Sequence, residues 1–327
     1  MSAVTSREKV LAIVFAMVTT AILVELGFRA MGPTHSTFNN MQSEYPDNPR
    51  GYFDLLRNDS GREVYGIAMN TAVGVGGRAP DSGTNEGPSK ILGLGDSQAQ
   101  GQGVRYADTM YAKLGEQLTQ AGRAMAVKNV AVKGYDLNEI VSRYAYEADE
   151  PGEYDWVVYA MVLDDFGLDP NLIQGQDGNQ NGLSSRFDPW RARSATYNFF
   201  VHISEQWRLS QTTTEAYLAS YRGENFKKQS EKLQHLASSV RTDGARFVIV
   251  LLPLLYDFEG YPFGEIHSTM VAWGKKNHVD IIDGFEVLNS YQASDLWVHA
   301  IDHHPNEVAH QALSMAIYQH ILSTEKR

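Results

Sequence analysis

Ile91 to Gly101 reads ILGLGDSQAQG, an apolar run that closes on Gly-Asp-Ser and then turns small and polar. A short apolar segment ended by glycine has the form of a buried strand. A serine just past such a strand stands at the carboxyl edge of a sheet, where open α/β folds hold their ligands. Ser97 is therefore a candidate nucleophile. The plainer role for the same residue is to cap the helix that follows.

Working outward, the chain from Lys90 onward alternates short apolar runs with amphipathic segments. The pattern predicts strands at Lys90 to Gly95, Val127 to Val132, Trp156 to Leu163, Arg246 to Leu252 and Val279 to Ile282. It predicts helices near residues 107–121, 136–148, 213–240, 263–277 and 306–322. Strands separated by single helices imply right-handed crossovers, hence a mostly parallel five-stranded sheet with helices on both faces: a doubly wound α/β domain over residues 89–327. The run FVIVLLPLLYDF is too short to cross a bilayer and reads as a buried strand. Residues 166–212 form a strandless insertion whose aromatics Trp190, Tyr197, Phe199, Phe200 and Trp207 read as a packed lid.

The chain has 327 residues, 43% of them hydrophobic, enough to bury a full core. A formal charge of -11, without clustered Lys and Arg, argues against nucleic acid as a partner. No protein partner can be read from the sequence. There is no cysteine, so neither a disulfide nor a thiolate metal site is possible.

Localisation is carried by the N-terminus. Val10 to Val24 is an uncharged run of 15 residues behind Arg7 and Lys9, and it reaches bilayer length if the helix continues to Met31. Residues 1–31 are read as a cytoplasmic stub and uncleaved transmembrane signal anchor, with Glu25 and Arg29 paired i,i+4. The basic flank then keeps the N-terminus inside and sends the rest across the inner membrane into the periplasm or exterior. Residues 32–88, rich in Asn, Gly and Pro, are read as a linker and irregular lead-in.

Near the other end stands LWVHAIDHHPNEVAHQAL. An imidazole two residues after a carboxylate can take a proton from a serine while the carboxylate fixes its tautomer. Together, GDSQAQGQGV, NVAVKGYDLNEI and DHHPNEVAH resemble the ordered blocks of the SGNH, or GDSL-type, hydrolases. The anchor ending in ELGFR, MNTAVGVGGRAP and DWVVYAMVLDDF resemble a membrane-anchored branch of that family, and the resemblance spans most of residues 60–322. It implies a flavodoxin-like sheet, a serine esterase and no metal or organic cofactor. It places the nucleophile on Ser97, the general base on His304 and the orienting acid on Asp302. It places the oxyanion donors on the backbone N–H of Ser97 and of Gly134 and on the side chain at Asp164. Ser97 is not in a G-x-S-x-G elbow, which argues against an α/β-hydrolase turn.

One position departs from the pattern. The family's Asn-Asp stands here as Asp164-Asp165, and an ionised carboxylate has no hydrogen to give an oxyanion. Three explanations stay open: Asp164 is held protonated, the two backbone donors suffice, or hydrolysis has been lost. His303 competes with His304 for the base, and the family's pattern favours His304; His299 and His310 read as solvated or helix-face residues. A zinc site built from Asp302, His303, His304 and His310, or from Asp164, Asp165 and Asp169, leaves the serine without a role. Asp177, Asn179, Asn181 and Asp188 match a calcium loop incompletely and read as an ordinary surface loop. The expected substrate is a small acyl ester, such as an O-acetyl group on an envelope glycan. The alternatives are a polysaccharide O-acetyltransferase with the same triad and a catalytically silent binding protein.

Overall fold

A computed structural model describes residues 6–30, 63–64, 67–68, 89–123, 125–148, 151–167, 194–197, 214–299 and 302–325. The calcium-loop residues Asp177, Asn179, Asn181 and Asp188, and Trp190, Phe199, Phe200 and Trp207, lie outside these. The chain divides into two compact units, Met1–Glu44 with Pro170–Ala216, and Tyr45–Asp169 with Tyr217–Arg327.

In the larger unit, five strands form one parallel sheet: β1 (Ser89–Gly95), β2 (Ala126–Asn129), β3 (Trp156–Met161), β4 (Arg246–Leu251) and β5 (Asp280–Asp283). Their order, β2-β1-β3-β4-β5, is that of flavodoxin-like folds, with the switch point between β1 and β3. Side chains alternate across the sheet with period two. Leu92, Leu94, Val157, Tyr159, Ile249 and Leu251 face one core layer, and Ile91, Trp156, Val158, Ala160, Val248 and Val250 face the other.

Each layer is closed by helices with an apolar face. Leu137, Ile140 and Tyr144 of a helix at Leu137–Glu147 join the first layer with Leu233 and Leu236 of Gly223–Thr242 and Ile266 and Met270 of Gly264–Asn277. Met110, Leu114 and Leu118 of Met110–Gln120 join the second with Leu313 and Ile317 of Glu307–Glu325. His310 is not on a solvated face: it is fully buried, and its Nδ1 accepts the Met110 amide at 3.2 Å, docking the two helices.

The end of β1 is shaped by Gly95. Its φ is 153°, and a Cβ there would stand 2.5 Å from the Ala99 methyl and 2.9 Å from the Ala160 carbonyl oxygen. The chain can thus turn from strand into the short helix Ser97–Gln100 only because nothing projects from this residue. Gly95→Ala is expected to cost about 3 kcal/mol, from backbone strain and overpacking together, and to lower the thermal midpoint. A calorimetric scan checks it.

In the smaller unit, one helix runs unbroken over Ser6–Ala30, about 37 Å at the usual rise. Phe15, Met17, Val18, Ile22 and Leu23 are exposed on it. Arg29 Nε donates to Glu25 Oε1 at 2.9 Å, as the i,i+4 spacing predicts. Glu25 also accepts from Ser194 Oγ, Ala195 N and Thr196 N, at 2.8, 2.7 and 3.0 Å, a tie to the insertion that spacing did not show. Among the described residues, no helix is long and apolar enough to cross a membrane.

Candidate active site

Three strand ends and one ribbon converge at the carboxyl edge of the sheet. Ser97 follows β1 as the first residue of its helix, whose cap is Asp96: Asp96 Oδ1 accepts the Gln98 amide at 2.9 Å. The serine is thus the capped residue, and its neighbour does the capping. The Ser97 amide opens the helix and so has no intrahelical acceptor.

The ribbon pairs Trp297–His299 with Asp302–Pro305 in antiparallel fashion. Asp302, His303 and His304 therefore lie in a strand, and not in a helix lead-in as their proximity to the last helix suggested. Alternation then sends adjacent histidines to opposite faces. His304 Nε2 is 2.8 Å from Ser97 Oγ, and His304 Nδ1 is 2.5 Å from Asp302 Oδ1. Asp302 Oδ1 also accepts the His304 amide at 3.1 Å, while Gln102 Nε2 donates to Oδ2 at 3.4 Å. With Nδ1–H committed to the carboxylate, Nε2 presents its lone pair to the Ser97 hydroxyl.

His303 is held elsewhere. Its ring stacks on Trp297 with centroids 3.9 Å apart and meets Tyr256 edge-on at 5.9 Å. Burial lowers its pKa, against the opposing pull of Asp302. The four residues of the zinc alternative are thus dispersed: His303 to the aromatics, His310 to the core, His304 and Asp302 to each other. Among the described residues no three His, Asp or Glu side chains are grouped to hold a metal ion.

Gly134 lies on the loop after β2. Val130 N and Val132 N donate to Gly93 O and Gly95 O, extending the ladder past the strand and drawing the loop alongside the turn that carries Ser97. Gly134 is exposed, with φ 81°, a conformation that glycine adopts at little cost. Behind it, Asn129 fastens the helix that begins at Ser97 to β2: Nδ2 donates to Ala99 O at 3.3 Å and Oδ1 accepts the Ala131 amide at 3.1 Å.

Asp164 and Asp165 sit in a 3-10 turn, Leu163–Phe166, that follows β3. Their roles split. Asp165 is buried and accepts from Tyr159 Oη at 2.6 Å and from the Val162 amide at 2.9 Å, so it holds the turn. Asp164 is exposed to solvent, yet surrounding protein and the Asp136 charge raise its carboxyl, while His304 pulls the other way.

Asp96 is the second perturbed acid. Burial first, then the Asp164 charge, push it up to about 7, against the Gln98 amide and His304. Its Oδ2 lies 3.4 Å from Ser97 Oγ, a weaker rival to His304 for the serine proton. Because its folded pKa exceeds the ordinary 3.8, the folded chain holds this proton longer than the unfolded one. Stability is therefore expected to fall as pH rises from about 4 to about 7, by at most a few kcal/mol from this group. In Asp96→Asn that slope should flatten, as urea titrations across the range would show.

A second Asp-His pair, which no sequence motif marks, joins the helix Gly264–Asn277 to the end of β5. His267 Nδ1 is 2.6 Å from Asp283 Oδ1, its Nε2 is 3.1 Å from Tyr261 Oη, and Tyr261 Oη accepts the Leu254 amide at 3.1 Å. His267 is 2% exposed, so the relay is structural. It fixes the loop after β4 that carries Tyr256.

No family model matches the chain, and no curated protein matches it in sequence. Solved structures with some likeness include "Crystal Structure of TesA", with 14% identity, a TM-score of 0.44, and coverage of 70% of this chain and 96% of that one. A psychrotrophic esterase, EstA, from Pseudoalteromonas sp. has 13% identity, a TM-score of 0.46, and coverage of 72% and 98%. Axe2, an acetylxylan esterase from Geobacillus stearothermophilus, has 14% identity, a TM-score of 0.46, and coverage of 71% and 94%. With these scores below 0.5, the architecture stands on the strand order and register alone.

Proposed function

We propose that the chain is a serine-dependent ester hydrolase acting through an acyl-enzyme on small acyl esters, including O-acetyl groups of an envelope glycan. One observation carries the reading: the unbroken series from Ser97 Oγ through His304 to Asp302, at 2.8 and 2.5 Å. Hydrogen bonds in series with fixed tautomers are what turn a weakly nucleophilic hydroxyl into an attacking group.

The chemistry follows from those positions. Ser97 Oγ attacks the ester carbonyl carbon and its proton passes to His304 Nε2, with Asp302 stabilising the imidazolium. The carbonyl oxygen, now an anion, meets the N–H groups of Ser97 and Gly134. The C–O bond to the alcohol breaks, and the departing oxygen takes the proton from His304. Water then attacks the acyl-serine by the same route in reverse roles, releasing the carboxylic acid and restoring Ser97.

An inner-membrane signal anchor is proposed for residues 1–31, with the enzyme in the periplasm or exterior. Its support is the uncharged run Val10 to Val24 and the exposed apolar side chains from Phe15 to Leu26. Retention of the full chain in carbonate-washed membranes, and release of a chain lacking residues 1–31, tests this.

The enzymatic reading is tested by labelling the full chain with a fluorophosphonate and mapping the modified peptide. Labelling at Ser97, absent from Ser97→Ala, is the expected result. A folded protein that gives no labelled serine refutes it.

A further inference from the structure

The hydrolase reading explains Ser97, His304 and Asp302 and leaves Asp164 as an apparent defect, a carboxylate at the position where the resemblance expects a third oxyanion donor. The surroundings of Asp164 give it a use. It follows β3, whose Met161 pairs with Leu251 of β4, and the amide of Leu252 continues the ladder to the Met161 carbonyl at 2.8 Å. The loops after these two adjacent strands carry Asp164 and Tyr256, and both side chains are exposed. Tyr256 is 43% exposed, an unusual state for a ring braced on several sides.

That bracing is rigid. Tyr256 leans on Phe263 at 6.3 Å and on the edge of His303 at 5.9 Å, and His303 stacks on Trp297. Trp297 Nε1 donates to Leu255 O at 2.7 Å, and the Tyr256 amide donates to Leu254 O at 2.8 Å. An exposed ring held by these contacts beside His303 offers a π-face, whose quadrupole attracts cations.

The local charge points the same way. Among the described residues, the charges bearing on Asp164 are His304 and Asp136, and the charge bearing on Tyr256 is Asp164. Tyr217 responds to Asp164, Asp165 and Asp96, and Tyr221 to Asp165 and Asp164. The ends of β3 and β4 thus present an accessible carboxylate and an accessible ring, features that together suit a positively charged guest.

We infer that Asp164 and Tyr256 form the specificity-determining corner of the site, and that the favoured substrate is an acyl ester whose alcohol carries an ammonium group close to the ester oxygen. The inference rests on the hydrolase reading above. The ammonium neutralises Asp164 on binding and so removes the repulsion that this carboxylate exerts on the oxyanion. A cationic substrate thus offsets the charge at Asp164, while a neutral ester meets that charge unscreened; the two backbone donors are the same for both.

The test compares acetylcholine with its isosteric carbon analogue, in which a quaternary carbon replaces the nitrogen, on the full chain at low salt. Wild type is expected to show kcat/KM about tenfold or more higher for the cation, a preference that shrinks at high ionic strength. In Asp164→Asn the neutral ester should gain about tenfold and the preference vanish. Tyr256→Leu should weaken the preference without that gain. Choline should slow fluorophosphonate labelling of Ser97 in wild type and leave it unchanged in Asp164→Asn.

Equal rates for the two esters, a preference that survives Asp164→Asn, or labelling indifferent to choline overturns the inference and leaves the esterase standing. Loss of Ser97 labelling itself overturns the esterase, and this corner with it.

Discussion

Ser97→Ala is expected to lower kcat for ester hydrolysis by about 10⁴-fold or more, with KM and the thermal midpoint nearly unchanged. In the proposed reaction the hydroxyl forms the acyl bond, so its removal leaves only what the backbone donors and binding supply. The substitution is mild for the fold. Ser97 is 8% exposed, and its backbone positions are set by Asp96, Gly95 and the helix that Asp96 caps. His304→Ala should cost a comparable factor, and the double variant no more than the worse single one, because the two act as a unit. Steady-state kinetics on a chromogenic acetyl ester checks both. Activity within tenfold of wild type in a folded Ser97→Ala protein would remove the nucleophile from the scheme.

The parts of this site differ in how plainly the sequence shows them. β1, β3 and β4 were legible nearly to the residue because each is buried on both faces and bounded by Gly, Asp or Pro. β2 is shorter than the apolar run implies, ending at Asn129, since residues beyond it leave the strand while still donating to β1. The Asp302–Pro305 strand was not legible. Its sequence, DHHP, lacks the apolar alternation of a half-buried strand, and nothing in it marks the pairing with Trp297–His299.

Long-range partners are the common failure. His310 looked solvated because the amide it accepts belongs to Met110, 200 positions earlier. Gln102 and Asp302 are as far apart, and no spacing rule joins them. The choice between His303 and His304 rested on a pattern of relatives; the ribbon supplies its physical basis, which is that consecutive strand residues face opposite ways. The Tyr261, His267 and Asp283 relay had no signal beyond three ordinary residues of an amphipathic segment and a strand end.

Asp302→Asn is the second large effect, about 10³- to 10⁴-fold in kcat, and it tests the tautomer and not merely the presence of a third residue. Asp302 Oδ1 holds two donors, the His304 Nδ1–H and the His304 amide, and Gln102 Nε2 addresses Oδ2. An asparagine keeps the shape, but its single oxygen can face either the two His304 donors or Gln102, not both. It loses the charge that stabilises the imidazolium, and its NH₂, turned toward Nδ1, would force the ring proton onto Nε2, the atom that must accept from Ser97. The rate should therefore fall at every pH where wild type is active, while substrate binding and labelling-independent stability change little. Asp302→Ala should lose as much rate and also leave Gln102 without its acceptor. If Asp302→Asn retained rates within a few-fold of wild type, His304 would be oriented by something other than this carboxylate. The short Nδ1 contact would then be a structural bond of the ribbon and not part of the chemistry.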